Sequence, residues 1–265
     1  MVDRFFVVPL LLIVLAALDV SAAQIHRNVA ELINQADRLH AEFKPREAAA
    51  ELQKVLQADP SNLEALAKLS RAYIDIGDSI PESQSGWEEG KIRAYRSAEN
   101  YARRAIRANP NSTWGYFYLA ASLGTMARVS PVAKQIEMAD EIRAAAEKAI
   151  ALDPQNGFAH HVYGVWHRRM VEISNVNRVL AAVWYGQSLP QGSLEKSVQL
   201  LKKAVAINPD VIVSRLELAR SHAAREEWPA ARVQLKSIGK IPNQFSDDAR
   251  HKQEAAELLE QIKDR

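Results

Sequence analysis

Four times along this chain an amphipathic run closes on an acidic or amide residue followed by proline. VLQADP ends at Pro60, AIRANP at Pro110, AIALDP at Pro154 and AVAINP at Pro209, and a weaker copy, SIGKIP, ends at Pro242. Proline lacks an N–H and disfavours the α conformation in the residue before it. Each phrase therefore reads as the end of one helix and the approach to the next. A phrase that recurs down a whole chain predicts stacked copies of one unit, and that outranks any inference from overall length.

Between the prolines a second pattern repeats. It runs Leu66, Leu69, Ser70, Tyr73; then Tyr116, Leu119, Ala120, Leu123; then His160, Tyr163, Gly164, His167; then Arg215, Leu218, Ala219, His222. Ahead of the prolines stand Ala48, Leu52, Val55; Ala98, Ala102, Ala105; and Ala231, Leu235, Ile238. Taken together these resemble the tetratricopeptide repeat, two helices per unit of about 34 residues. The resemblance implies an all-α helical-hairpin solenoid. Five irregular helix pairs are expected at 29–43/45–58, 62–76/91–108, 112–125/131–152, 157–173/194–207 and 211–225/228–239, with a polar capping helix at 247–263. Asn62 is the expected N-cap of its helix and Gly77 its expected stop. Asp78–Gly90 reads as a surface loop and 174–193 as an insert.

The period is uneven: Pro60 to Pro110 is 50 residues, Pro110 to Pro154 is 44 and Pro154 to Pro209 is 55. The phrase His160, His161, Gly164, Trp166, followed by an insert closing on Pro190, Ser193 and Glu195, is similar to the regulator of microtubule dynamics family. So is the stretch from Tyr118, Leu119 and Ala120 to Gly124. That family is named for microtubule association in animals; the solenoid, with no G-x-S-x-G, P-loop, G-x-G-x-x-G or H-E-x-x-H, is expected to be a non-catalytic scaffold or adaptor for a protein or peptide partner. An animal member tethers endoplasmic reticulum to mitochondria and binds phospholipid. A phospholipid or fatty acid, with peripheral membrane association, is therefore the alternative expectation.

Residues 1–23 form a segment of their own, with Arg4 ahead of the apolar run Phe5–Leu18 and small residues from Val20 to Ala23. This is the shape of a secretory signal, shorter than a bilayer span. The expectation is export to the periplasm or beyond, with 24–265 as the repeat domain; an uncleaved N-terminal anchor is the alternative. A net charge of +2 is too near neutral to argue for nucleic acid on charge alone, and none is expected. The chain has no cysteine, which excludes disulfides and thiolate chemistry.

In a solenoid of this type the first helix of each pair lines the groove. The expected groove residues are Arg71; Trp114, Phe117 and Tyr118; Phe158, His161, Val165, Arg168 and Arg169; and Leu216 and Arg220. Leu180, Trp184 and Tyr185 are expected to form a lid over them, with Arg168, Arg169 and Arg178 as candidates for a phosphate or carboxylate. The competing reading is that the insert simply fills the groove. No cofactor is expected. His160 and His167 stand two turns apart, about 10 Å, and His161 points about 100° away, so no metal site is expected. Glu88, Glu89, Glu226 and Glu227 read as loop or surface carboxylates with no base beside them.

Overall fold

The computed structural model describes residues 27–174, 176–179, 183 and 189–265. The expected signal segment, and the lid residues Leu180, Trp184 and Tyr185, lie outside them. The described helices are α1 (27–41), α2 (Pro45–Ala58), α3 (Leu63–Asp78), α4 (Trp87–Ala108), α5 (Thr113–Arg128) and α6 (Val132–Leu152). They continue with α7 (Gly157–Glu172), α8 (Leu194–Ile207), α9 (Ile212–Ala224), α10 (Trp228–Ile238) and α11 (Asp248–Gln261). Residues 176–179 and 183 are helical as well. No strand occurs among the described residues. From α2 onward each helix packs on the next, and α3, α5, α7 and α9, first helices of their pairs, also touch in succession.

The proline phrase does two jobs. After α2, Asn62 N–H donates to the Asp59 carbonyl at 3.1 Å, a four-residue turn with Pro60 at its second position. Proline's fixed φ suits that position. The Asp59 carboxylate accepts from Ser61 N–H at 3.1 Å, and the Asn62 side chain then accepts from Ala65 N–H at 3.0 Å and caps α3. Asn109, Pro110 and Ser112 repeat this before α5, and Asp153, Pro154 and Asn156 before α7. Six residues thus end one helix, turn, and start the next.

The recurring small residue marks where helices approach most closely. Ser70 is buried and its hydroxyl donates to the Ala98 carbonyl at 3.0 Å. Ala120 and Ala219 are fully buried at the same register. A Cβ on Gly164 would stand 2.6 Å from Leu201 Cγ, and the Ser197 hydroxyl donates to the Gly164 carbonyl at 2.7 Å. The core runs as successive strips between neighbours rather than around one centre, as stacked repeats require.

Two expectations need correction. Gly77 does not stop α3, which continues to Asp78. A Cβ there would lie 2.4 Å from the buried Tyr95 ring, so this glycine serves packing. The surface loop is shorter than Asp78–Gly90, because α4 starts at Trp87 and places Glu88 and Glu89 in its first turn.

Candidate binding groove

α5, α7 and α9 present their inner faces to a cavity of about 330 Å³, closed at one end by α6. On α7 the wall residues follow helical spacing: Phe158, His161, Val162, Val165 and Arg169. α5 gives Phe117, Ala121, Gly124 and Thr125, and α9 gives Val213 and Glu217. Gly124 leaves the wall open: a Cβ built on it meets nothing within 4 Å. Gly124→Ala is therefore expected to stabilise the chain by about 0.5–1 kcal/mol, since the helix gains propensity without a clash. Urea unfolding would check this.

Of the expected groove residues, Phe117, Phe158, His161, Val165 and Arg169 line this cavity. Trp114 stands at its rim, 43% exposed, stacked on Tyr118 at 5.9 Å and edge-on to Phe117 at 5.8 Å. Tyr118 is buried behind it. Leu216 is fully buried in the core, not the groove. Val213 and Glu217, four residues apart, set the inner face of α9, and Leu216 turns about 100° away.

The arginines are corrected most. Arg168 is buried in ion pairs with Glu217 and Glu172. Arg220 pairs with Glu217 at 2.6 Å and with Glu254 at 2.8 Å. Arg71 pairs with Asp37 at 3.3 Å, between α1 and α3. Arg178 donates to the carbonyls of Met170 and Pro190. On the cavity wall itself, Arg128 pairs with Asp78 at 2.8 Å and Arg169 with Glu172 at 3.2 Å. The guanidiniums expected to hold an anion are thus already matched. Val176, Val179 and Val183 are exposed and line no part of the cavity.

Burial and pairing set the local protonation. Burial raises the Glu217 carboxyl, but Arg168 and Arg220 outweigh it and hold it at about 2. Burial pushes His161 down to about 4, so the ring is neutral at pH 7, with Nδ1 3.1 Å from Ser214 Oγ. His160 Nε2 lies 3.0 Å from the Pro154 carbonyl, and His167 is buried against Tyr163, centroids 4.6 Å apart. The three histidines do not converge. Asp247, Asp248 and His251 do converge at the start of α11. There Asp247 is engaged by Arg250 at 3.0 Å and His251 at 3.2 Å, and Asp248 accepts from Gln244 and Phe245 N–H. Glu227, read as lacking a base, pairs with His222 Nδ1 at 2.5 Å.

Sequence pattern alone did not point to the rest of the wall: Gly124, Thr125, Ala127, Arg128, Gln135, Ala139, Ile142, Trp166 and Met170. Gly124 was within reach, because it continues the stripe Phe117–Ala121 by one turn. The α6 residues were not, since α6 is a second helix, and it reaches the groove through its first half, at Gln135, Ala139 and Ile142.

Comparison with known proteins fits this geometry. In solved structures, a thermophilic tetratricopeptide repeat protein of Thermus thermophilus aligns with TM-score 0.59 at 17% identity, covering 87% of this chain and 98% of that one. The pilF protein of Pseudomonas aeruginosa aligns with TM-score 0.53 at 13% identity, covering 90% and 93%. The chain is 24% identical over 238 residues to regulator of microtubule dynamics protein 1 of Bos taurus, covering 89% of this chain and 73% of that one. It is 23% identical over 246 residues to regulator of microtubule dynamics protein 3 of Mus musculus, covering 92% and 51%. The family model for regulator of microtubule dynamics protein 1-3 matches residues 32–263, and the chain belongs to that family.

Proposed function

We propose that the chain is a scaffold that holds a protein partner in the groove between α5, α7 and α9. The observation that carries this is an open, largely apolar cavity whose wall arginines are already paired. Such a wall suits an apolar segment of another protein. The relatives are named for microtubule dynamics, a property of a protein assembly, which supports a protein partner.

A second reading has one observation in its favour. A cavity of about 330 Å³ falls within the range of small-ligand sites, so an acyl chain also fits. Gly124→Leu puts a side chain into the cavity from a position where an added Cβ meets nothing within 4 Å, and the species it displaces tells the two apart. A partner cross-linked to the parent chain and lost from a well-folded Gly124→Leu supports the scaffold. A partner held equally by both chains, or an extractable acyl mass lost from Gly124→Leu with no protein captured, overturns it.

The proposal includes export, on the pattern of residues 1–23. Mass spectrometry of the chain from its own cells should find a mature start after Ala22 or Ala23. A retained Met1 would rule out cleavage and leave the anchored form.

A further inference from the structure

Most arginine side chains among the described residues are engaged, by a carboxylate as in Arg103 to Glu141, Arg143 to Asp140, Arg225 to Glu227 and Arg250 to Glu254, or by a carbonyl or amide as in Arg104 to Pro60 and Arg215 to Gln234. Arg46, Arg93, Arg96 and Arg107, like Arg27 at the start of α1, are not. The four on α2 and α4 are exposed, and among the described residues their guanidiniums make no ion pair or hydrogen bond. Arg93, Arg96 and Arg107 follow helical spacing on the outer face of α4, and Arg46 lies in the first turn of α2.

The four are not merely scattered. Arg46 and Arg93 stand on the walls of a second cleft, about 480 Å³, between α2, α3 and α4. Small residues line it: Ala49 and Ala50 on α2, and Gly90 and Ala94 on α4. Its other polar groups are Gln53, Tyr73, Gln84 and Ser97, with Gln53 Nε2 donating to Tyr73 Oη at 3.0 Å. No aspartate or glutamate lines it. It shares no residue with the groove above.

We propose that this cleft, on the side of the solenoid formed by second helices, is a separate docking site for an extended acidic peptide segment of a protein partner. Charge complementarity selects the sign: two guanidiniums without counter-ions, and no carboxylate on the walls, bind carboxylates by charge-assisted hydrogen bonds. The depth and the amides select the class. Glutamine side chains both donate and accept, as a peptide backbone does, and a flat bilayer cannot enter a cleft. Arg96 and Arg107 extend the positive face along α4 and catch further acidic side chains.

The test is fluorescence anisotropy of a labelled decaglutamate peptide on the full chain, at low and at physiological salt, with a decaglutamine peptide as control. The expected result is binding of decaglutamate alone, weakened by salt. An Arg46→Gln/Arg93→Gln double variant should bind about tenfold or more weakly, because two charge-assisted bonds are lost. Arg225→Gln should bind as the parent does. All three arginines are on the surface, and thermal melts should coincide. No binding at low salt, or equal binding by the double variant, overturns the proposal. So does binding of phosphatidylserine vesicles through these two arginines with none of the peptide. Gly124→Leu should leave decaglutamate binding unchanged, so this site and the groove fail or stand separately.

Discussion

An Arg168→Met chain should unfold about 3–5 kcal/mol more easily than the parent at neutral pH. Removing one partner of a buried ion pair strands the other charge. Arg168 and Glu217 are 4% and 6% exposed, and in the variant Glu217 keeps only its Arg220 contact, on the other carboxylate oxygen. The effect has a pH signature. The folded Glu217 carboxyl is held at about 2, below its ordinary 4.5. A depressed carboxylate contributes stability that is complete above the ordinary value and is lost as pH falls through the folded value. The difference between parent and variant should therefore be largest near neutrality and shrink between pH 4.5 and 2. Urea titrations across that range would show it. A pH-independent difference would assign Arg168 to packing alone. Arg169→Met, next in sequence but 52% exposed, should change stability by about 0.5 kcal/mol or less.

The second large effect lies where α7 and α8 cross. Leu201 is fully buried, and Leu201→Ala should cost about 2–5 kcal/mol, the transfer loss plus the cavity left behind. Gly164→Ala overpacks the same point, where the new methyl meets Leu201 Cγ and the Ser197 carbonyl, and should cost about 1–3 kcal/mol. The two changes oppose each other in volume. In the Leu201→Ala background, Gly164→Ala should cost less than it does alone, a coupling that a double-mutant cycle in urea measures. Strict additivity would show that the Ser197 carbonyl, not Leu201, sets the clash.

The helix pairs were legible because proline and the caps beside it act within four residues. The phrase around Pro60 carries its own turn and cap, so α2 and α3 fell close to their expected bounds. Gly77 was misread because a glycine that ends a helix and one that admits a tyrosine ring look alike without the partner. Of the groove aromatics, Phe117 and Phe158 were legible from their spacing on α5 and α7, whereas Tyr118, beside Phe117 in sequence, is buried behind the wall. The arginines were not, because their partners are remote: Arg168 meets Glu217 forty-nine residues on, and Arg71 meets Asp37 thirty-four residues back. Local pattern shows that a side chain is charged, not that its charge is spent.

The small residues at the crossings lead further. Axis separation between packed helices varies with the side chains at the contact. Here those side chains are a hydroxymethyl at Ser70, methyls at Ala120 and Ala219, and a hydrogen at Gly164, and none of them lines the groove. The curvature of the solenoid is thus governed by one set of residues and the chemistry of its binding face by another. The face can be rewritten without bending the frame, and the frame can be bent without touching the face.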